Sequence, residues 1–184
     1  MNAKYPEIGI CGLSCRLCSA YHRETASKCG GCKTESRMTV GCAFSNCAMK
    51  KKGIEFCWLC GENKTCERWR NHRELGRQHD SFVCYQKLED NIAFIEEFGV
   101  AEFEKQQKRR ERLLSEMLKE FDDGRSKTYY SIAATVMEIK DLEESLEEAR
   151  MQTVNLETKK KAKILREILD RVADRKNYFL KLRK

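Results

Sequence analysis

Three observations predict a mainly α protein: a small cysteine-rich metal-binding N-terminal module of short helices and knuckles, followed by an all-α helical body. Ten of the eleven cysteines crowd into residues 11–66. From Leu88 onward, apolar residues recur every three or four positions, and no alternating run is long enough for a sheet. A single proline and few glycines in the second half argue against a many-turned β protein. The 184 residues divide by composition into a cysteine-rich module at 1–84, a helical domain at 85–152 and a basic C-terminal helix at 153–184.

Residues 1–10 read as an extended lead-in around Pro6. Ser14 is expected to cap a helix starting at Cys15, with Leu17, Ala20 and Tyr21 on one side. In Cys29-Gly30-Gly31-Cys32 the two glycines allow a turn that aims amide hydrogens at sulfur, a metal knuckle. Residues 33–41 show no periodicity and read as loop. Cys42 to Lys52 reads as a short helix stopped by Gly53, and Cys57-Trp58-Leu59-Cys60-Gly61 as a second knuckle. Cys66 opens a helical turn through Trp69, and residues 71–84 read as a polar connector.

In the body, Leu88, Ile92, Ile95 and Phe98 form one stripe that Gly99 ends. A longer helix runs to Phe121; its charged middle, Lys105 to Arg112, is expected to be exposed. Asp122-Asp123-Gly124 is a stop, with Ser126 placed to cap the next helix and Asp141 the one after. The turn around Arg125 and Lys127 also invites reading as an anion site at a helix N-terminus, although a helix–helix turn explains it fully. A last helix carries Leu156, Ile164, Leu165, Ile168, Leu169 and Val172.

Cysteine-rich segments of this length hold little oily core and need covalent or metal staples. The start lacks the apolar segment of a signal peptide and no run is long enough to span a membrane, so the expected compartment is the cytoplasm, where thiols stay reduced. An odd cysteine count also disfavours a disulfide scaffold. The candidate metal ligands are therefore Cys11, Cys15, Cys18, Cys29, Cys32, Cys42, Cys47, Cys57, Cys60 and Cys66. Two four-thiolate zinc ions use eight of them. The pairing left open by spacing is best filled by Cys15/Cys18 with Cys29/Cys32, and by Cys57/Cys60 with two of Cys42, Cys47 and Cys66.

The alternative is [4Fe–4S], which also takes four thiolates. Cys11, Cys15 and Cys18 have the C-x3-C-x2-C spacing of radical S-adenosylmethionine enzymes, but the strands of their barrel are missing from the pattern. His22, His72 and His79 sit in no catalytic context, Cys84 reads as a packing thiol, and Trp58 and Trp69 as apolar mass. No catalytic residue is assigned.

The net charge of +7 is concentrated in residues 158–184, where eleven basic residues face three acids. Such a tail can attract nucleic acid, although a solvated helix face is the plainer reading.

CGLSCRLCSAY, CGGC, the Cys42/Cys47 pair leading to AMKKKGIEFCWLC, and Cys66-Glu67 together resemble an uncharacterised cysteine-rich family, catalogued as a domain of unknown function (number three-seven-nine-five) and found in many anaerobic bacteria and archaea. FDDGRSKTYYSIAATV extends the resemblance, which then spans roughly residues 10–150. It implies that the ten cysteines are metal ligands and brings no established activity. Where the family often has Phe-Pro before the last cysteine, this chain has Lys64-Thr65. The function expected is that of a non-catalytic zinc-binding interaction or structural module with a protein or nucleic-acid partner, the alternative being an iron–sulfur redox or sensor protein.

Overall fold

The computed structural model describes residues 3–26, 28–35, 39, 42–81 and 83–184. The segment read as loop at 33–41 lies partly outside these. Among the described residues the protein is mainly α with no strand; the one β feature is an isolated antiparallel bridge between Ile8 and Ser14. No helix of the described residues is long and apolar enough to cross a membrane.

The cysteine-rich part is built of short turns. Cys15–Leu17 is a 3-10 turn rather than the expected helix, and the Ser14 hydroxyl makes no capping hydrogen bond to it. Ala43–Ser45 makes one α turn that widens into a π turn over Asn46–Lys51. Cys57–Leu59 is a second 3-10 turn.

Helix α1 then covers Glu67–Gln78, where a polar connector was expected from residue 71. Its buried side consists of Trp69 and Gly76, and Arg73 closes a salt bridge to Glu89 at 2.5 Å. Helix α2 spans Leu88–Phe98 and α3 Val100–Phe121; Gly99, with φ +85°, makes the break between them. Helices α4 (Lys127–Val136), α5 (Ile139–Gln152) and α6 (Thr158–Lys176) complete the body, with Asn177 in the left-handed conformation ending α6.

Helix α3 is the spine: α2, α4, α5, α6 and the 15–17 turn all pack on it. Its middle is not wholly exposed as expected. Gln107 and Arg110 are buried at 3% and 6% exposure, because the i, i+3/i+4 row through Phe103, Leu114 and Met117 carries them inward. Two capping expectations also give way. Ser126 donates to Asp123 Oδ1 (2.8 Å) instead of capping α4, and Asp141 lies inside the first turn of α5, held by Lys176 Nζ (2.6 Å) and the Tyr178 hydroxyl (2.8 Å).

The body core gathers Leu114, Met117, Phe121, Tyr130, Leu142, Leu165 and Leu169, and admits Leu17 from the cysteine-rich turn and Cys84 as a buried packing thiol. A second cluster joins Ile8, Phe56, Trp58 and Trp69 to Leu88, Ile92, Ile95 and Phe103. The cysteine-rich segment therefore has an oily interior after all, half of it supplied by α2 and α3. Arg16 adds polar ties, reaching Glu111 (2.6 Å), Glu7 (3.3 Å) and Glu104 (3.7 Å).

Phe103→Ala is expected to cost about 3–5 kcal/mol in denaturant unfolding, and to speed thiol labelling at Cys57 and Cys66, which pack on the same cluster. Destabilisation with unchanged labelling would contradict the shared core. The chain end supplies a pH test. Burial raises the Asp80 carboxyl, but hydrogen bonds from Arg183 and the Tyr85 amide outweigh it and hold it below the usual carboxylate range. A depressed folded pKa stabilises above the unfolded value of about 3.9 and is lost as pH falls through the folded one. Asp80→Asn should thus lower the melting temperature at pH 7, and the gap should close as pH falls through the folded carboxyl's depressed value; a gap that persists in acid while both proteins are still folded would exclude this linkage.

Candidate metal centre

The lead-in folds back so that Gly9 N–H donates to Leu13 O (2.7 Å) and Cys15 N–H to Glu7 O (2.7 Å). This loop carries Cys11 and delivers Cys15 to the 3-10 turn. Gly31, at φ +97°, lets the backbone pass beside Cys15: a Cβ there would meet the Cys15 sulfur and the Pro6 carbonyl oxygen, both at 3.4 Å. A Cβ on Gly9 would meet Leu13 O at 3.1 Å and the Cys11 and Cys32 sulfurs at 3.5 and 3.6 Å. Two glycines thus bring main chain directly against three thiols. The second knuckle is tied to the first loop by Cys57 N–H donating to Ile10 O (3.1 Å).

These sulfurs perturb one another. The Cys15 and Cys32 thiols share a hydrogen bond, so one proton serves two sulfurs. Cys32 is the thiolate member, brought down by that bond against the opposing effect of burial, with help from the Ile10 N–H and the Lys33 ammonium. Cys15 is the protonated member, driven up by the same bond and by burial. Burial also pushes Cys11 up to about 12; the Leu13 N–H opposes it, and charge at Cys32 and Cys42 adds to it. Cys57 rises to about 12 through burial and then through the fields of Cys11, Cys66, Cys47 and Cys60.

By the fields they exert on one another the sulfurs fall into two overlapping sets: Cys11 with Cys15, Cys32 and Cys42, and Cys57 with Cys11, Cys47, Cys60 and Cys66. Cys11 belongs to both, a link that linear spacing does not show. Cys18 lines a cavity against the helical body, and the Cys29 amide donates to Ala20 O (2.9 Å). No disulfide joins any of the cysteines among the described residues. Soft thiolate donors supported by main-chain N–H groups are the chemistry that zinc or an iron–sulfur cluster takes, and the donor set fits such a group. The spacing is looser than a closed cage: among the described residues, no three His, Cys, Asp or Glu side chains converge closely enough to hold an ion.

Lys33 is a site residue that sequence reading passed over. Its side chain is 1% exposed, its Nζ donates to Tyr5 O and Glu55 Oε2 (both 2.9 Å), and it lies 3.9 Å from the Phe56 ring centroid. It places a buried cation next to Cys32. Lys52 donates to the Cys60 sulfur at 3.3 Å. The basic residue after a cysteine in CGGCK was the available signal.

Of the histidines, His22 Nε2 lies 2.5 Å from Arg16 O, His72 sits among the rings of Phe44, Trp69 and Tyr85, and His79 is exposed. At 123–127 the chain's own acids take the amides: Asp122 Oδ1 accepts from Gly124 N (3.0 Å) and Asp123 Oδ1 from Arg125 N (3.0 Å), while Lys127 Nζ donates to His22 O (3.0 Å). In the basic tail, Arg171 pairs with Glu148, Lys176 with Asp141 and Arg183 with Asp80, and Arg166 lies over Tyr129.

The family described as "Protein of unknown function (DUF3795)" matches residues 7–71. That stretch contains all ten clustered cysteines and ends before the FDDGRSK segment. No curated protein and no solved structure matches the chain.

Cys15→Ala removes the shared hydrogen bond while leaving the Ile10 amide and Lys33 in place. The Cys32 thiol should then titrate at higher pH than in the parent protein, seen in the pH profile of its alkylation by iodoacetamide in reduced, metal-free protein. An unchanged profile would show that Cys15 does not set the charge on Cys32.

Proposed function

We propose that residues 7–71, the stretch matched by the family of unknown function, are a thiolate metal-binding module that takes zinc, and that the protein serves as a non-catalytic interaction or structural module. The observation that carries this reading is Cys57, half-buried and pushed up by burial and then by the fields of Cys11, Cys66, Cys47 and Cys60. Thiols at that density can ionise together only if a cation compensates them, and a soft-ligand dication does so most fully. Loading draws the sulfurs inward from their present spacing, so binding contributes directly to local folding. The non-catalytic part rests on the histidines: His22 is engaged by Arg16 O and His72 is packed among aromatic rings, and the reading assigns neither to thiol activation. A protein partner is preferred to nucleic acid because Arg171, Lys176 and Arg183 of the basic tail are already paired within the chain.

The test is metal and sulfide analysis of protein purified without oxygen. About two zinc ions per chain are expected. Iron with matching acid-labile sulfide would replace zinc by [4Fe–4S], and metal-free folded protein would remove both. Cys57→Ser should lose metal and melt at lower temperature; retention of both metal content and melting temperature would contradict the assignment of Cys57.

A further inference from the structure

Where the cysteine-rich part meets the helical body, a half-open cavity of about 290 Å³ lies between the 15–17 turn and helices α2, α3 and α4. It has room for roughly ten water-sized atoms, the lower end of small-molecule sites. Leu13, Leu17, Phe94 and Ile132 give it an apolar side. Its polar side contains groups whose hydrogen-bonding capacity the fold leaves unused.

Arg110 is the first. Its residue is 6% exposed, it lines the cavity, and among the described residues it forms no ion pair. Nη1 donates to Ala134 O (2.9 Å) and Met137 O (2.6 Å), so it caps the C-terminus of α4. Capping accounts for that nitrogen alone. The Nε and Nη2 edge has no hydrogen-bond partner among the described residues, and this edge is the fork that matches a carboxylate. A buried guanidinium without a counter-ion is costly, and an incoming anion relieves that cost.

Two hydroxyls supply a second, independent observation. Ser131, 5% exposed on α4, and Ser14 both line the cavity, and the Oγ of each is buried with no hydrogen-bond partner. A helical serine ordinarily satisfies itself on the preceding turn; Ser131 does not.

We infer that this cavity binds a small organic carboxylate with an apolar body, anchored on the free edge of Arg110 and hydrogen-bonded by Ser131 and Ser14. The charges along the wall select a monoanion. Lys87 is neutralised by Asp90 at 2.8 Å, and the exposed Glu138 adds a negative field at the rim. One guanidinium facing that field holds a single negative charge better than a phosphate dianion. The site uses no metal, although Cys18 of the candidate ligand set lines the same cavity.

Benzoate is the probe, followed by amide chemical-shift titration of the full-length protein, with benzamide as neutral isostere and phenylphosphonate as dianion. Benzoate is expected to give saturable shifts at Thr128, Ser131 and Asn91, with benzamide and phenylphosphonate weaker. Ser131→Ala, which removes an unpartnered hydroxyl and keeps the fold, should weaken benzoate about three- to tenfold. Arg110→Lys, which keeps the charge and loses the fork, should weaken it about tenfold or more. Absence of benzoate shifts at these residues, equal binding of benzamide, or unchanged affinity in folded Ser131→Ala would each overturn the site; tighter phenylphosphonate binding would overturn its preference for a monoanion.

Discussion

The apolar seam in which Ile8, Phe56, Trp58 and Trp69 meet Leu88, Ile92, Ile95 and Phe103 is the contact on which the remaining structure depends. Short turns with few aliphatic residues cannot exclude water alone. Here they borrow one face of α2 and the first turns of α3, and the same seam fixes where Cys57 and Cys66 sit. Metal is therefore not required to supply all the cohesion of the cysteine-rich part. In the function proposed above, a metal would have the narrower role of compensating sulfur charge at a place the hydrophobic seam has already built.

Buried cations mark the two regions where chemistry is concentrated. Lys33 sits against Cys32 with Glu55 as counter-ion, and Arg16 fastens the first turn to the acids of α3. Arg110 has no such partner among the described residues and spends only one nitrogen on the end of α4. Burial penalises each of these charges, and what compensates it differs in the three cases: a carboxylate, a cluster of carboxylates, and main-chain oxygens with an edge left over.

Much of the helical body was legible because its signals are strong and local. Leu88, Ile92 and Ile95 repeat at helical spacing, and Gly99 and Asp122-Asp123-Gly124 end helices where expected. Helix α1 was missed because its inner face is made of Trp69, His72 and Gly76, while its one aliphatic residue past 70, Leu75, is 62% exposed. The inward turn of Arg110 and Gln107 was hidden by the charged run around them. Asp141 reads as a cap from its position ahead of a leucine, yet the folded chain uses it for Lys176 and Tyr178, thirty-five and thirty-seven residues away. In the site, knuckles were visible as C-x2-C pairs, but the meeting of Cys11 with Cys57 depends on the Cys57–Ile10 main-chain hydrogen bond, which no spacing encodes.

Gathered sulfur implies a specific inner shell for any bound ion. X-ray absorption at the zinc edge of the loaded full-length protein measures that shell directly. Four sulfur scatterers at about 2.3 Å are expected; a shell of nitrogen and oxygen at about 2.0–2.1 Å would contradict a thiolate centre.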